Sequence, residues 1–384
     1  MIYFDNSATT YPKPDGVIRA MQVALTKYGG NPGRSGHKIS EASGMEVFKV
    51  REKLSQMYNV PVENCAFTMN CTYALNLAVK GVMGQNGGHI ITSDLEHNSV
   101  IRPIHSLYKR GICTYSIANV YEDDEQTLES FRKKITPKTR AIAVTLASNV
   151  TGQILPYRKL AKLCAENNIC FIADGAQACG VIGIDMKKDG INILCTAGHK
   201  GLYGPMGTGV LMTDGKYPLS TLIEGGTGSV SSEIESPEFY PDRLEAGTPN
   251  TPGIIGLGAG VDFVSHIGTE NIFNHENKLK NRFIAGIEGI DGIKLYTAKN
   301  SVPIVSFNLF DIDSANLATV LSDIGFALRG GLHCSFLAHT KLGTIESGTV
   351  RFSPSISSTV RETDRLIYAV GQISQKYKTK RMNA

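Results

Sequence analysis

Residues 196–209 read TAGHKGLYGPMGTG. They set Lys200 in a glycine-rich turn directly after the apolar run INILCT, where a strand hands the chain to a loop. A second apolar run, ICFIA at 169–173, delivers Asp174 into the segment ADGAQA. An acid at the end of a buried strand needs a cationic partner to stay ionised. Taken alone, Lys200 is a solvated loop lysine and Asp174 a helix N-cap. Their company argues otherwise. Thr196 and His199 are donors suited to a phosphate, and Gly198 and Gly201 spare the turn a β-carbon, leaving room for a group bound to the lysine.

Working outward, β-rich runs alternate with helical patterns from about residue 60 to 215. CAFTM precedes a helix at 72–80, HIITS one at 99–109, and AIAVTL one at 158–167; then come CFIAD, INILCT and GVLMT. This alternation predicts an α/β fold with a mainly parallel sheet covered by helices. Ligands of such sheets bind beyond the carboxyl ends of the strands. The polar residues Cys71, Thr72, Glu96, His97, Ser148, Asn149, Asp174 and Lys200 fall at those ends, so separate loops predict one site. Residues 225–252 are rich in Gly, Ser and Pro and read as a long crossing. A large domain is expected over 15–250. A smaller α+β domain is expected from 1–14 and 251–384, with helices at 254–266, 270–289 and 314–324 and an apolar run at 302–309.

A lysine amine and a buried aspartate are the two side chains that pyridoxal 5'-phosphate (PLP) chemistry asks of a protein, the first for a covalent link and the second for the pyridinium nitrogen. On that reading Lys200 holds the cofactor and later moves the substrate Cα proton, a task that needs its pKa depressed from about 10.4. His97 stacks over the ring, and Gln177 faces the ring hydroxyl. Cys71 and Thr72 open a helix whose backbone amides suit the phosphate. Capping is the simpler account of Thr72, and His97 alone is as easily a capping histidine. Two further motifs extend the site. RGGLHC, ending at Cys334, offers a thiol in a polar, glycine-rich loop unlike the settings of the other seven cysteines, and His333 beside it is a candidate for favouring the thiolate. Arg351, in TVRFS, offers a bidentate fork for a carboxylate.

Composition limits the alternatives. The chain has 384 residues, 42% of them hydrophobic, enough for two domains with real cores. Its 39 basic and 35 acidic residues leave a net charge of +4, with the only basic cluster at Lys376, Lys378, Lys380 and Arg381. Neither a nucleic-acid nor a membrane partner is expected. No apolar run approaches the ~20 residues of a membrane span, and the start MIYFDNSATT has no signal-like pattern, so a cytoplasmic location is expected. The eight cysteines are scattered without CxxC spacing and read as reduced core residues; no metal site is expected.

Nearly the whole chain resembles the class V branch of PLP-dependent aminotransferases of aspartate aminotransferase fold (fold type I), and within it the NifS/SufS-like cysteine desulfurases. YFDNSATT, the Glu96–His97 pair, SNVTG, DGAQA, GHKGLYGPMGTG, EAGTPN, RGGLHC and VRFS occur in that family's order. The resemblance implies conversion of L-cysteine to L-alanine with the sulfur passing to Cys334 as a persulfide. It implies that Asn149 and Arg351 bind the substrate carboxylate and that Arg34 and His37 lie at the pocket mouth. Thr248 would reach the phosphate of a neighbouring subunit, which implies a homodimer. A sulfur-acceptor protein, as in iron–sulfur cluster assembly, is implied as a class but not identified. The short interval from Cys334 to Arg351 resembles the SufS-like branch, whereas Cys71 stands where such sequences usually carry threonine. Selenocysteine lyase, or another class V aminotransferase or β-lyase that leaves Cys334 idle, is the alternative. A nucleotide-binding module is disfavoured, because no GxxxxGK[ST] or GxGxxG pattern fits.

Overall fold

A computed structural model describes residues 1–33, 36–84 and 86–382, the side chains of 380–382 excepted. Eight strands are β1 (Ile2–Tyr3), β2 (Cys65–Thr68), β3 (Gly88–Ser93), β4 (Cys113–Ala118), β5 (Thr139–Thr145), β6 (Cys170–Asp174), β7 (Ile193–Ala197) and β8 (Gly209–Thr213). Four more follow: β9 (Ile293–Leu295), β10 (Val305–Leu309), β11 (Phe326–Ala327) and β12 (Val350–Phe352).

Strands β2 to β8 form one seven-stranded sheet in the order β2-β8-β7-β6-β5-β3-β4. β3 to β7 run parallel, and β8 lies antiparallel between β2 and β7. The expected α/β fold with a mostly parallel sheet is what the chain adopts. Alternation within the strands explains the layering. Ile142, Val144, Phe171, Ala173 and Leu194 enter a core on one face of the sheet. Ala141, Ala143, Cys170, Ile172, Ile193 and Cys195 enter the core on the other, under the helix Cys71–Met83. Both faces are covered, so the strands read as continuous apolar runs.

A third core, built on Phe4, Phe283, Phe307 and Phe352, holds a smaller lobe around the antiparallel strands β9, β10 and β12. The first residues join it, since β1 pairs in parallel with β11. From there residues 6–13 cross to the large sheet, where they meet the turn that carries Lys200. We propose the two-lobe division drawn from the sequence on the strength of these separate cores. The helix Thr251–Ile267, just beyond residue 250, packs Ile254, Leu257 and Val261 into the larger core. Its start is set by Asn250, whose side chain caps Gly253 N–H, and by Pro252 in its first turn. Residues 225–250 contain only the short 3-10 turn Asp242–Leu244 as regular structure. Among the described residues no helix is long and apolar enough to cross a membrane.

Candidate active site

The C-terminal ends of β2, β3, β5, β6 and β7 point to one edge of the sheet, and the loops that leave them line a cavity. Its wall includes Cys71, Thr72, His97, Asn149, Asp174, Gln177, His199 and Lys200. Eight side chains picked from separate stretches of sequence therefore share one space.

Asp174 is buried at the end of β6. Burial raises its carboxyl above the usual range, opposed by the Ala176 N–H at 2.9 Å, by Lys200 and by the Cys71 thiol. Such an acid calls for a cation beside it. Burial lowers Lys200, with Asp174 and Cys71 opposing and Arg351 and Arg329 adding to the fall. The lysine is thereby moved towards the neutral amine that both covalent attachment and proton transfer need.

Cys71 opens the helix at the cavity as expected, and its side chain adds a contact not foreseen. Its Sγ lies 3.5 Å from Asp174 Oδ1, so the thiol serves the aspartate. Asn70, not Thr72, caps the helix that follows: its Oδ1 accepts the Tyr73 N–H at 2.8 Å. Thr72 Oγ1 lies instead 2.8 Å from Ser99 Oγ, which in turn lies 2.9 Å from His97 Nδ1. The first backbone N–H groups of the helix have no acceptor within it and face the cavity end, as an anion site requires. His97 is both cavity wall and N-cap. Its Nδ1 accepts the Ser99 N–H at 3.1 Å, and its pKa is lowered to about 4, first by burial and then by the cations Lys200, Arg351, Arg329 and Arg102.

The glycines beside Lys200 serve packing. A β-carbon at Gly198 would sit 2.2 Å from Thr208 Oγ1, and one at Gly201 2.3 Å from the Cys179 carbonyl. They let the turn lie close on its neighbours; room for a bound group comes from the cavity itself. The turn is also pinned from the chain start. The His199 carbonyl accepts from Lys13 Nζ at 2.7 Å and from Thr9 Oγ1 at 3.1 Å. Lys13, which sequence reasoning passed over, is lowered to about 8 by burial. Gln177 donates through Nε2 to the Ser7 carbonyl at 3.1 Å. Thr196, buried at the end of β7, engages the Cys179 thiol.

Asn149, Arg351 and the Cys334 loop form a second cluster against the cavity. Arg351, 2% exposed, donates from Nη1 to the Asn149 carbonyl at 3.0 Å and from Nη2 to Asp5 Oδ1 at 2.9 Å, while its Nε has no partner. The fork expected to be free for substrate is thus shared with Asp5, a residue sequence reasoning quoted within YFDNSATT without assigning it a part. The Asn149 amide donates to the His333 carbonyl at 2.8 Å and accepts from Ser335 Oγ at 2.6 Å. The Asn98 N–H, next to His97, holds the Cys334 carbonyl at 2.7 Å. His333 and Cys334 lie consecutively at φ of 49° and 57°, a region that costs a residue with a β-carbon about 1–2 kcal/mol. His333 does not supply the charge expected of it. Its Nε2 meets the Thr349 carbonyl at 2.9 Å, and burial holds it well below the usual histidine range, so it stays neutral. Cys334 is exposed; the other seven cysteines are buried.

Thr248 and His37, expected to serve a neighbouring subunit and to lie at the mouth, are not in the wall of this cavity. Thr248 lines a separate cavity with Asn31, Arg51 and Glu245, and its hydroxyl accepts from Asn31 at 3.3 Å. His37 is exposed and caps the helix Lys38–Tyr58 through Ser40 N–H. Arg34 lies outside the described residues. Asp5, Lys13 and Ser335 were missed because each acts on a residue far away in the chain, as does Ser99 in its contact with Thr72. For Ser335 the only local signal was its place beside Cys334.

The donors present fit PLP: a buried acid without a full counter-charge, a lysine lowered towards neutrality, an open helix start, and a buried His199 Nδ1 without a partner. The family model of class-V aminotransferases matches residues 2–366. A probable cysteine desulfurase of Methanothermobacter thermautotrophicus is 31% identical over 375 residues, 95% of this chain and 92% of that protein. The apo structure of a cysteine desulfurase from Thermococcus onnurineus NA1 superposes with a TM-score of 0.91 at 29% identity, covering 98% and 95% of the two chains. An Escherichia coli cysteine desulfurase solved in an S-sulfonic acid form gives 0.86 at 26% identity, over 96% and 94%.

Proposed function

The chain belongs to the class-V aminotransferase family, and from that premise we propose that it is a PLP-dependent cysteine desulfurase. Members of this family use PLP, which supplies an electron sink for charge that develops at the substrate Cα. Lys200 Nζ would hold the cofactor and carry the Cα proton; Asp174, to which the Cys71 thiol donates, would pair with the ring nitrogen, with His97 and Gln177 as the residues to hold the ring face and its hydroxyl. The helix start at Cys71 and Thr72, with Thr196 and His199, would hold the phosphate. Arg351 and Asn149 would receive the L-cysteine carboxylate.

Cys334 Sγ, as thiolate, attacks the substrate sulfur. An S–S bond forms, the substrate Cβ–S bond breaks, its electron pair stays on carbon, and protons complete L-alanine while Cys334 keeps the sulfur as a persulfide. Cysteine and the thiol thus balance alanine and persulfide. One observation carries this reading: the exposed Cys334 has its carbonyl held by the Asn98 N–H, and the carbonyl of the preceding His333 is held by the side chain of Asn149, which lines the cavity that holds Lys200 and Asp174. Exposure also suits delivery of sulfur to an acceptor protein, as in iron–sulfur assembly. L-Selenocysteine is an alternative substrate because the same attack suits selenium.

The proposal extends to a homodimer in which Thr248 reaches the cofactor phosphate of a second copy; its position on a separate cavity supports that. A cytoplasmic location accords with the free cysteines. Mass spectrometry after exposure to L-cysteine is expected to find one added sulfur on Cys334 and free alanine. Borohydride is expected to fix the cofactor on Lys200 and to fail in Lys200→Ala. Sulfide release that survives Cys334→Ala would overturn the thiol step and favour a β-lyase.

A further inference from the structure

Ser335 has no part in the chemistry above, yet it is completely buried directly after the exposed Cys334. Its hydroxyl donates to Asn149 Oδ1 at 2.6 Å. The arrangement leaves that amide no freedom. The His333 carbonyl is an acceptor only, so Asn149 must present Nδ2 to it, and Oδ1 must then face the Ser335 hydroxyl. One N–H of Nδ2 is spent on His333 and the second remains for the pocket. The Asn149 carbonyl accepts from Arg351. A single asparagine therefore touches the carboxylate-binding arginine, the cavity wall and the nucleophile loop.

The loop needs such a hold. His333 and Cys334 are consecutive residues at positive φ, a conformation that persists only where surroundings impose it. The restraints are specific: Asn149 on the His333 carbonyl, Asn98 N–H on the Cys334 carbonyl, the Ser335 N–H donating to the Leu332 carbonyl across the turn, His333 Nε2 at the Thr349 carbonyl, and the Gly331 carbonyl accepting from Thr349 N–H. Ser335 supports the first of these from beneath. Without its hydroxyl, Asn149 Oδ1 becomes a buried acceptor with no partner, and the amide is free to rotate away from His333.

We propose that Ser335 is a positioning residue: through Asn149 it locks the left-handed His333–Cys334 turn and links occupation of the carboxylate site to the placement of the thiol. The inference rests on the desulfurase reading for its catalytic consequence, while the locked turn can be read without it.

The test compares wild-type holoenzyme with Ser335→Ala, which keeps the packing and removes only the hydroxyl. Four quantities are measured: the rate of iodoacetamide alkylation at Cys334 by mass spectrometry, kcat and KM for L-cysteine, and cofactor content from visible absorption. With the turn released, Cys334 is expected to alkylate about fivefold faster or more. A thiol that is more reachable from outside but worse placed inside gives a kcat about tenfold lower, with KM within about twofold and cofactor content unchanged. Alkylation and kcat both within about twofold of wild type would overturn the proposal. So would faster alkylation spread over the seven buried cysteines with loss of cofactor, since that is general loosening. Wild-type enzyme that forms no persulfide on Cys334 sinks the desulfurase reading instead, and the alkylation comparison still decides whether Ser335 locks the turn.

Discussion

Asp5 and Arg351 come from opposite ends of the chain, and Asp5 Oδ1 lies 2.9 Å from Arg351 Nη2. The guanidinium is almost wholly enclosed, whereas the carboxylate keeps about a fifth of its side-chain surface exposed. Breaking a buried pair strands the remaining charge, which costs 3–5 kcal/mol where both partners are buried.

Asp5→Asn should therefore cost less than that range, about 2 kcal/mol, because water reaches Asp5. The guanidinium plane also loses one of its two anchors, so KM for L-cysteine should rise about tenfold with a smaller change in kcat. Thermal melting and steady-state kinetics check both. An unchanged melting point and KM would show that Asp5 does not orient Arg351.

Cys71→Val removes the thiol from Asp174 while nearly keeping its volume. Burial already raises this carboxyl and the thiol lowers it, so the variant should raise it further and weaken its hold on a cationic ring nitrogen. A hydrogen bond worth about 1 kcal/mol predicts PLP binding about fivefold weaker by equilibrium dialysis. Equal affinity would return Cys71 to the role of inert packing.

His97 should remain neutral throughout the physiological range. Burial and the surrounding cations lower it to about 4, so imidazole signals followed by NMR should titrate far below the ordinary value of about 6.5. A midpoint near 6.5 would mean that the ring is solvated and does not line a closed cavity.

Glu276 offers a test of stability against pH. Burial raises its carboxyl from about 4.5 to about 8, although the Tyr203 hydroxyl donates to it at 3.3 Å. The folded state thus binds this proton more tightly than the unfolded chain. The group's contribution is complete below about pH 4.5 and is lost as pH rises towards 8. Glu276→Gln, which stays neutral, should gain in melting temperature relative to wild type on going from pH 5 to pH 8.5. A gain that shrinks over that interval would contradict the raised carboxyl.

The strand ends were legible because period and composition are local. A short run such as CFIAD, apolar on both faces and set among alternating helical patterns, reads as a strand covered on both sides, and the acid that ends it stands out. Asp174, Lys200, His97 and Asn149 were found that way, and their convergence followed from the parallel sheet. The partner of the Cys71 thiol stayed hidden for a local reason too. A residue at a helix start looks like a phosphate ligand, and nothing nearby in the chain shows that its side chain turns towards a strand end about a hundred residues on.

By itself, then, the sequence determined the layered α/β fold, the lysine–aspartate pair, the suspect thiol and the likeness that ties them to desulfurases, since each is written in short-range pattern and motif order. Tertiary structure alone decided who holds whom: Asp5 on Arg351, Lys13 on the Lys200 turn, Ser335 on Asn149, and the neutrality of His333. Hydrogen bonding and desolvation depend on neighbours brought together through space, and those neighbours are set only when the cores of the two lobes close.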